Sequence, residues 1–331
     1  MDRWNGVLRV KLNPNCNNYF SVAASLCFSP SSKTLIVPSA NAIFFSGDRV
    51  EGTGNPVIEK LSDKQNIADI LVSKFLNLGV TVNAWVVEAS TFNGPFAVYK
   101  EFIPSVNSWG EPKCYNPDGF PASSTTVSLL SSCLEEVKNV LTGGQQETPQ
   151  TRVSTSSFRE PRTIIFGFSK GGTVLNQLIA EFAHLKRDPL SVSQVTREGV
   201  GGNYSDIQEE NHIISGSKER LLNSIAEIHY VDVGLNSAGA YLTDNSVIEN
   251  IAEQVRYRTL GIRFALHGTP RQWCDRRRPW IANEKDKLLQ FLEGISQKTA
   301  GIVQVSERLY LANRLPNLQM HFEIIEILDI S

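Results

Sequence analysis

The stretch Arg162–Phe182, RTIIFGFSKGGTVLNQLIAEF, decides how the chain is read. Five residues rich in β-branched and aromatic types run into Gly-Phe-Ser-Lys-Gly-Gly, and an apolar pattern with helical spacing begins at Val174. This is a strand, a sharp turn and a helix. In G-x-S-x-G the serine occupies a strained position with its hydroxyl above the sheet edge. Side chains two positions to either side would strike neighbouring chain, so Gly167 and Gly171 suit the turn. The helix beginning near Gly172 offers unpaired N–H groups and a positive dipole end. Ser169 is thus a candidate nucleophile, and the Lys170 N–H a candidate donor to a developing oxyanion. The bare pattern arises by chance in roughly one chain of this length in six. Its strand-to-helix context therefore carries the weight against an ordinary βα turn. A P-loop is excluded, because G-x-x-x-x-G-K-[ST] is absent.

Working outward, "GVLRVKL", "YFSVAASLCF", "KTLIV" and "NAIFF" read as early strands separated by Asn, Pro and Ser. After a polar loop, "KQNIADILVSKFLNLG" has helical apolar spacing and Gly79 as a stop. "VTVNAWVVEAS" is the next strand. "TTVSLLSSCLEEVKNVLTGG" is an amphipathic helix closed by glycines. Beyond the opening stretch, "AEIHYVDVG", "SVIENIAEQVRYR", "GIRFALHG", "EKDKLLQFLEGIS" and "GIVQVSERLY" continue the alternation, and "MHFEIIEILDIS" closes with a short helix. Near-continuous apolar strands between amphipathic helices predict an α/β fold, a mostly parallel sheet covered on both faces. The expected organisation is one domain over 1–331 with polar insertions at about 91–123, 143–160 and 186–218.

Composition bounds the function. The 331 residues are 41% hydrophobic and 20% charged, with a formal net charge of −2. That balance is globular and gives no electrostatic footprint for nucleic acid. The five cysteines (Cys16, Cys27, Cys114, Cys133, Cys274) show neither C-x-x-C nor zinc-ligand spacing, which fits a reducing compartment. No metal or organic cofactor is indicated. A sequon, Asn203-Tyr204-Ser205, stands without a secretory signal. The first residues carry no apolar core of signal-peptide length, and no run approaches the ~18 apolar residues of a membrane span. A soluble, cytoplasmic protein is expected.

A serine needs a base, and the base an orienting carboxylate. In hydrolase order the acid and then the histidine follow the serine. The histidines are His184, His212, His229, His267 and His321. His184 lies in the helix after the elbow, His212 in a polar insertion, and His229 inside a strand. His321, placed in the loop between the last strand and the terminal helix, is preferred as base. His267, ending a strand, is expected to contact substrate or to support the residues that do. Asp275 follows the penultimate strand and is slightly preferred as acid, with Asp232 the alternative. The second oxyanion donor is expected from Gly47 and Asp48 after "AIFF", with Asp48 pointing away or paired to Arg49. In "DRRRPW", Asp275–Trp280, the arginines read as a solvated charge run or as recognition of an anionic group, with Arg276 and Arg278 as candidates.

"GFSKGGTVLNQL", "HGTPRQWCDRRRPWI" and "HFEIIEIL" together resemble a eukaryotic α/β-hydrolase-like family with mitochondria-associated animal members. The resemblance runs from "AIFFSGD" to the C-terminus, interrupted by the insertions. It implies an α/β-hydrolase-like fold with Ser169 as nucleophile, Asp275 as acid and His321 as base, and mitochondrial residence as the alternative location. The expected function is hydrolysis of an ester, thioester or lipid acyl bond, with a small acyl-containing or lipid substrate. The competing expectation is a non-catalytic binding or regulatory protein on the same fold. Acyl transfer to an acceptor other than water would use the same site.

Overall fold

Strands without a charged residue form the middle of a sheet, where both faces must be covered. The computed structural model describes residues 2–13, 18–142, 160–185, 213–256, 258 and 260–331. Its main sheet comprises β1 (Arg3–Val10), β2 (Phe20–Ser29), β3 (Ala40–Phe45), β4 (Val82–Val87), β5 (Arg162–Phe168), β6 (Ile225–Val231), β7 (Ile262–Gly268) and β8 (Val303–Leu309). They lie in the order β1-β2-β4-β3-β5-β6-β7-β8. The β1–β2 and β2–β4 pairs are antiparallel, and every later pair is parallel. This is an α/β fold whose mixed sheet is antiparallel at one end and parallel through the rest. All six residues of β3 and all six of β4 are buried.

Alternation along these strands feeds two cores. Ile43, Phe45 and Ile165 face one side, together with helices α3 (Pro121–Thr142), α4 (Gly172–Ala183), α6 (Asn245–Val255) and α8 (Pro279–Lys298). Ala42, Phe44 and Phe166 face the other, with α1 (Pro56–Ser62), α2 (Lys64–Asn77) and α9 (Leu318–Ile327). Two short helices, α5 (Lys218–Ser224) and α7 (Pro270–Trp273), complete the helices of the described residues. Asn55, Asp63 and Asn317 accept backbone N–H bonds as N-caps of α1, α2 and α9.

Helix α4 is buried at all twelve positions, including Asn176, Gln177 and Glu181. Buried polar groups require partners, and here the partners lie on the start of α3, on β6 and on the excursion between β4 and α3. Glu181 accepts from Ala122 N–H (2.7 Å), Ser123 N–H (2.9 Å) and the Ser123 hydroxyl (2.6 Å), so it caps the start of α3. Burial nevertheless pushes the Glu181 carboxyl above the usual carboxylate range. Asn176 donates to the Tyr115 hydroxyl (3.0 Å) and accepts from that of Tyr230 (2.7 Å). The excursion, which carries a hairpin of Thr91–Asn93 with Phe96–Val98, is thereby tied to the helix behind the elbow.

Three boundaries differ from the sequence reading. The span read as a polar loop after β3 contains α1, started by the Asn55 cap and Pro56 at its first turn. Helix α3 begins at Pro121, inside the stretch assigned to the first insertion. Of "KTLIV" only Thr34–Leu35 pairs, against the end of β2. The insertion 143–160 lies outside the described residues but for its last residue, as does 186–218 up to residue 212, and with it the sequon.

The elbow is closed by steric fit. A Cβ on Gly171 would lie 2.1 Å from the Phe45 carbonyl oxygen, and one on Gly167 would lie 2.6 Å from the Gly172 Cα. Both obstacles are backbone and cannot swing away. Gly171→Ala is expected to cost about 1–3 kcal/mol or more of folding stability, checked by urea denaturation against the wild type.

Candidate active site

Strand β5 delivers Ser169 into a single 3-10 turn, Ser169–Gly171, that leads directly into α4. Ser169 has φ of 53°, the left-handed region that L-residues other than glycine rarely occupy. Asp232, just past the end of β6, has φ of 44°. Two candidate site residues thus hold strained backbone at adjacent strand ends. The loop after β3 passes hard against the serine, since a Cβ on Gly47 would lie 2.5 Å from the Ser169 Cβ.

His321 lies in the first turn of α9 rather than in a preceding loop. Its ring stacks on Phe168 at 4.5 Å between centroids, and its Nδ1 is 2.6 Å from Asp232 Oδ2. A carboxylate only accepts, so the proton in this contact is on Nδ1, which directs Nε2 away from Asp232. The fully buried Asp232 also accepts from Thr269 N–H (2.7 Å) and the Thr269 hydroxyl (2.9 Å). Its own N–H donates to the His267 carbonyl (2.7 Å), locking the β6 and β7 ends together.

The preference for Asp275 is therefore corrected. Asp275 accepts from Arg278 Nε (2.9 Å) and Arg277 N–H (2.9 Å) at the surface, and the carboxylate on His321 is that of Asp232. These local bonds hold the Asp275 carboxyl below the usual carboxylate range despite some burial. Arg276 is exposed and does not line the cavity at Ser169, whereas Arg278 does.

That cavity, of about 240 Å³, is bounded by Ser169, Lys170, His321, Asp48, Arg271 and Gln272, among others. Ser169 and His321 share it, but no hydrogen bond joins them directly among the described residues. The Asp48 carboxylate is turned to Ala97 N–H (2.8 Å) and to Lys170 Nζ (3.0 Å). The expected partner, Arg49, instead meets Glu88 at 3.1 Å. Lys170 also donates to the Trp109 carbonyl (2.8 Å) and lies 4.8 Å from the Phe96 ring centroid. Its charge is thus spent holding the excursion and the loop after β3 beside the elbow. Arg271 and Gln272 were missed by the sequence reading. The only signal for them was "TPRQW", a proline-started turn after a strand.

His267 does not contact the cavity, which corrects its assignment to substrate. It is buried, with Nε2 3.0 Å from His229 Nδ1 and Nδ1 3.0 Å from the Tyr310 hydroxyl. His229 Nε2 in turn meets Glu227 at 3.1 Å, and its ring stacks on Phe166 at 4.4 Å. Because the carboxylate accepts, the bonds run one way: Tyr310 O–H to His267, His267 N–H to His229, His229 N–H to Glu227. Both rings are neutral in this arrangement. Burial pushes both histidines below the usual range, and for His267 the neighbouring His229 adds to the effect. His184 bonds the Ala180 carbonyl (2.9 Å), and His212 lies outside the described residues. Among the described residues no group of three His, Cys, Asp or Glu could hold a metal ion.

A model of the C2orf69 family matches residues 123–298, just over half of the chain. The chain belongs to the C2orf69 family. The match includes Ser169, Asp232 and Asp275, and stops short of His321 and Gly47. The mitochondrial protein C2orf69 homolog of Mus musculus is 25% identical over 299 residues, covering 80% of this chain and 69% of the mouse protein. Mitochondrial protein C2orf69 of Homo sapiens is 24% identical over 299 residues, covering 80% of this chain and 66% of the human one. The chain thus spans about two thirds of the length of these relatives. They overturn the expectation of cytoplasmic residence, since both are named as mitochondrial proteins. Among the described residues no helix is long and apolar enough to cross a membrane. Among solved structures, an IroE-like serine hydrolase from Shewanella oneidensis superposes with a TM-score of 0.45 at 9% identity, covering 98% of this chain and 78% of that one.

Two measurements check this geometry. Asp232→Ala leaves buried donors on Thr269 and His321 unpaired and is expected to cost about 3 kcal/mol or more, whereas Asp275→Ala loses a surface pair and costs less than about 1 kcal/mol. Chemical denaturation of both variants separates them. For pH, the folded state keeps His229 and His267 neutral while unfolded histidines protonate near ~6.5. Below that pH the unfolded chain binds more protons, so stability falls as pH falls. Glu227, held below its usual range chiefly by His229 against the opposing effect of burial, adds to the loss at lower pH. Acid titration by circular dichroism should show the decline beginning near pH ~6, with a shallower slope in His267→Gln.

Proposed function

We propose that this protein is a serine hydrolase of ester, thioester or lipid acyl bonds, with Ser169 as nucleophile, His321 as base and Asp232 as orienting acid. The observation that carries the reading is the 2.6 Å contact of His321 Nδ1 with the buried Asp232, beside a strained Ser169 in one cavity. With Nδ1–H committed to Asp232, His321 Nε2 is the tautomer that accepts the serine proton. Ser169 Oγ then bonds the carbonyl carbon, and the carbonyl π-electrons move to oxygen. Backbone N–H groups at Lys170 and at Gly47–Asp48 receive that oxyanion. The Asp48 carboxylate does not oppose it, because Lys170 Nζ neutralises it. The His321 imidazolium protonates the leaving group, and water repeats the sequence to release the acid. Closure of the Ser169–His321 distance on substrate binding is part of this reading, since such contacts tighten in the bound state. The names of the relatives support residence in mitochondria.

A second reading, a binding protein without turnover, is favoured by the missing Ser169–His321 hydrogen bond. A fluorophosphonate probe distinguishes them. Under the hydrolase reading, mass spectrometry maps the label to Ser169, and Ser169→Ala abolishes it. Asp232→Asn, provided it folds, reduces the labelling rate by about 10³–10⁴-fold, as loss of the orienting acid does in serine hydrolases. Absence of label on folded wild-type protein overturns catalysis and leaves the binding reading.

A further inference from the structure

The cations around the cavity are not equivalent. Lys170 is paired with Asp48, Arg49 with Glu88, and Arg278 through its Nε with Asp275. Arg271 also lines the cavity, and among the described residues no carboxylate lies within ion-pair distance of it. Its Nε is shielded from solvent and has no acceptor. Beside it, the buried Gln272 has an Oε1 with no donor, packed toward Gly234. An unpaired guanidinium NH and an unused amide oxygen are costly to bury unless something arrives to satisfy them. Burial and the nearby Arg278 pull the Arg271 pKa down, and the more distant carboxylates of Asp232 and Asp275 offset this only in part, so an anion placed there would be favoured.

The placement of Arg271 follows from the fold. Thr269, at the N-terminus of α7, holds Asp232 by two bonds, and Arg271 two residues on lines the cavity shared by Ser169 and His321. A guanidinium presents several N–H donors in a fixed fork suited to a carboxylate or phosphate. The cavity volume of about 240 Å³ falls below the ~300–1,000 Å³ typical of sites for drug-sized ligands. The cavity adjoins a second one of about 320 Å³ across Asp48, Arg49, Val50 and Phe322.

We infer that Arg271 forms an anion subsite of the Ser169 cavity, so that the acyl substrate carries a carboxylate or phosphate. The inference rests on the hydrolase reading for its chemistry, but the subsite can be tested without turnover. Arg271 is a binding residue here, and the serine attack proceeds as for any acyl compound.

The experiment uses the full chain, wild type and Arg271→Gln, with two readouts. Isothermal titration with glutarate and with inorganic phosphate tests the subsite directly. Binding of either one to wild type, lost in Arg271→Gln, supports it and tells carboxylate from phosphate. Hydrolysis is then compared for the p-nitrophenyl monoester of glutaric acid and for p-nitrophenyl butyrate. Arg271→Gln is expected to lower kcat/KM for the anionic ester by roughly tenfold to a hundredfold more than for the neutral ester, mainly through KM. Equal loss on both esters, or no anion binding by wild type, overturns the subsite even when Ser169 labels with fluorophosphonate. Anion binding lost in Arg271→Gln, with Ser169 unlabelled, overturns the hydrolase reading and keeps the subsite. A fold check by circular dichroism accompanies each variant, and Arg271→Lys, which keeps the charge but not the fork, should recover part of the affinity.

Discussion

Everything at the sheet edge that carries Ser169 hangs on one buried carboxylate. Asp232 is fully buried, and an ionised group there is tolerated only when donors surround it. Two come from Thr269 and one from His321, so one side chain joins the ends of β6 and β7 to the terminal helix. The backbone must turn through a left-handed conformation at Asp232 to aim the carboxylate. The strain is local, and the bonds it permits are long-range in sequence. This explains why α9, remote in the chain, is part of the site.

The same economy governs the elbow. Ser169 is strained because strand and helix meet with no room for a longer turn, and the glycines around it are forced by backbone contacts. The neighbouring Lys170 looks at first like a functional cation. Its ammonium is instead absorbed by Asp48, the Trp109 carbonyl and the Phe96 ring, with its side chain only 3% exposed. A buried ion pair of this kind adds little net stability. Here it joins three segments that must be in register if backbone N–H groups from two of them are to meet one oxyanion.

Legibility in the sequence followed the range of the interaction. The apolar runs of β3, β4, β5 and β7 and the strand–turn–helix at Ser169 are local patterns, and they were readable. So was the mostly parallel sheet, because alternation of apolar strands with amphipathic helices leaves few other packings. The antiparallel start, β1 to β2 to β4, is a matter of partner choice between distant segments, and no local pattern encodes it. Asp275 was preferred over Asp232 because both follow strand ends and only register decides which carboxylate reaches His321. The arginines that made Asp275 conspicuous are the reason it is occupied elsewhere. His267 was drawn to the site by its position at a strand end, but a strand's side chains alternate, and this one points into the sheet's interior toward His229. Glu181 carried no signal at all, since a helix with glutamate in it reads as half exposed, and α4 is buried throughout.

The contrast among the arginines shows how to separate the two meanings of a charge cluster. Arg276 is solvated, Arg278 is engaged by its own carboxylate, and both belong to the run that stands out in the sequence. Arg271 sits alone between a proline and a glutamine and stands out only in space. Surface arginines are cheap and frequent, so their number says little about ligands. A guanidinium that the fold partly desolvates, in the cavity of Ser169 and with no carboxylate in ion-pair contact, is costly, and an anion that enters offsets that cost. Unmet demand at a single buried donor is therefore the better guide to what the cavity receives than the density of charge around its rim.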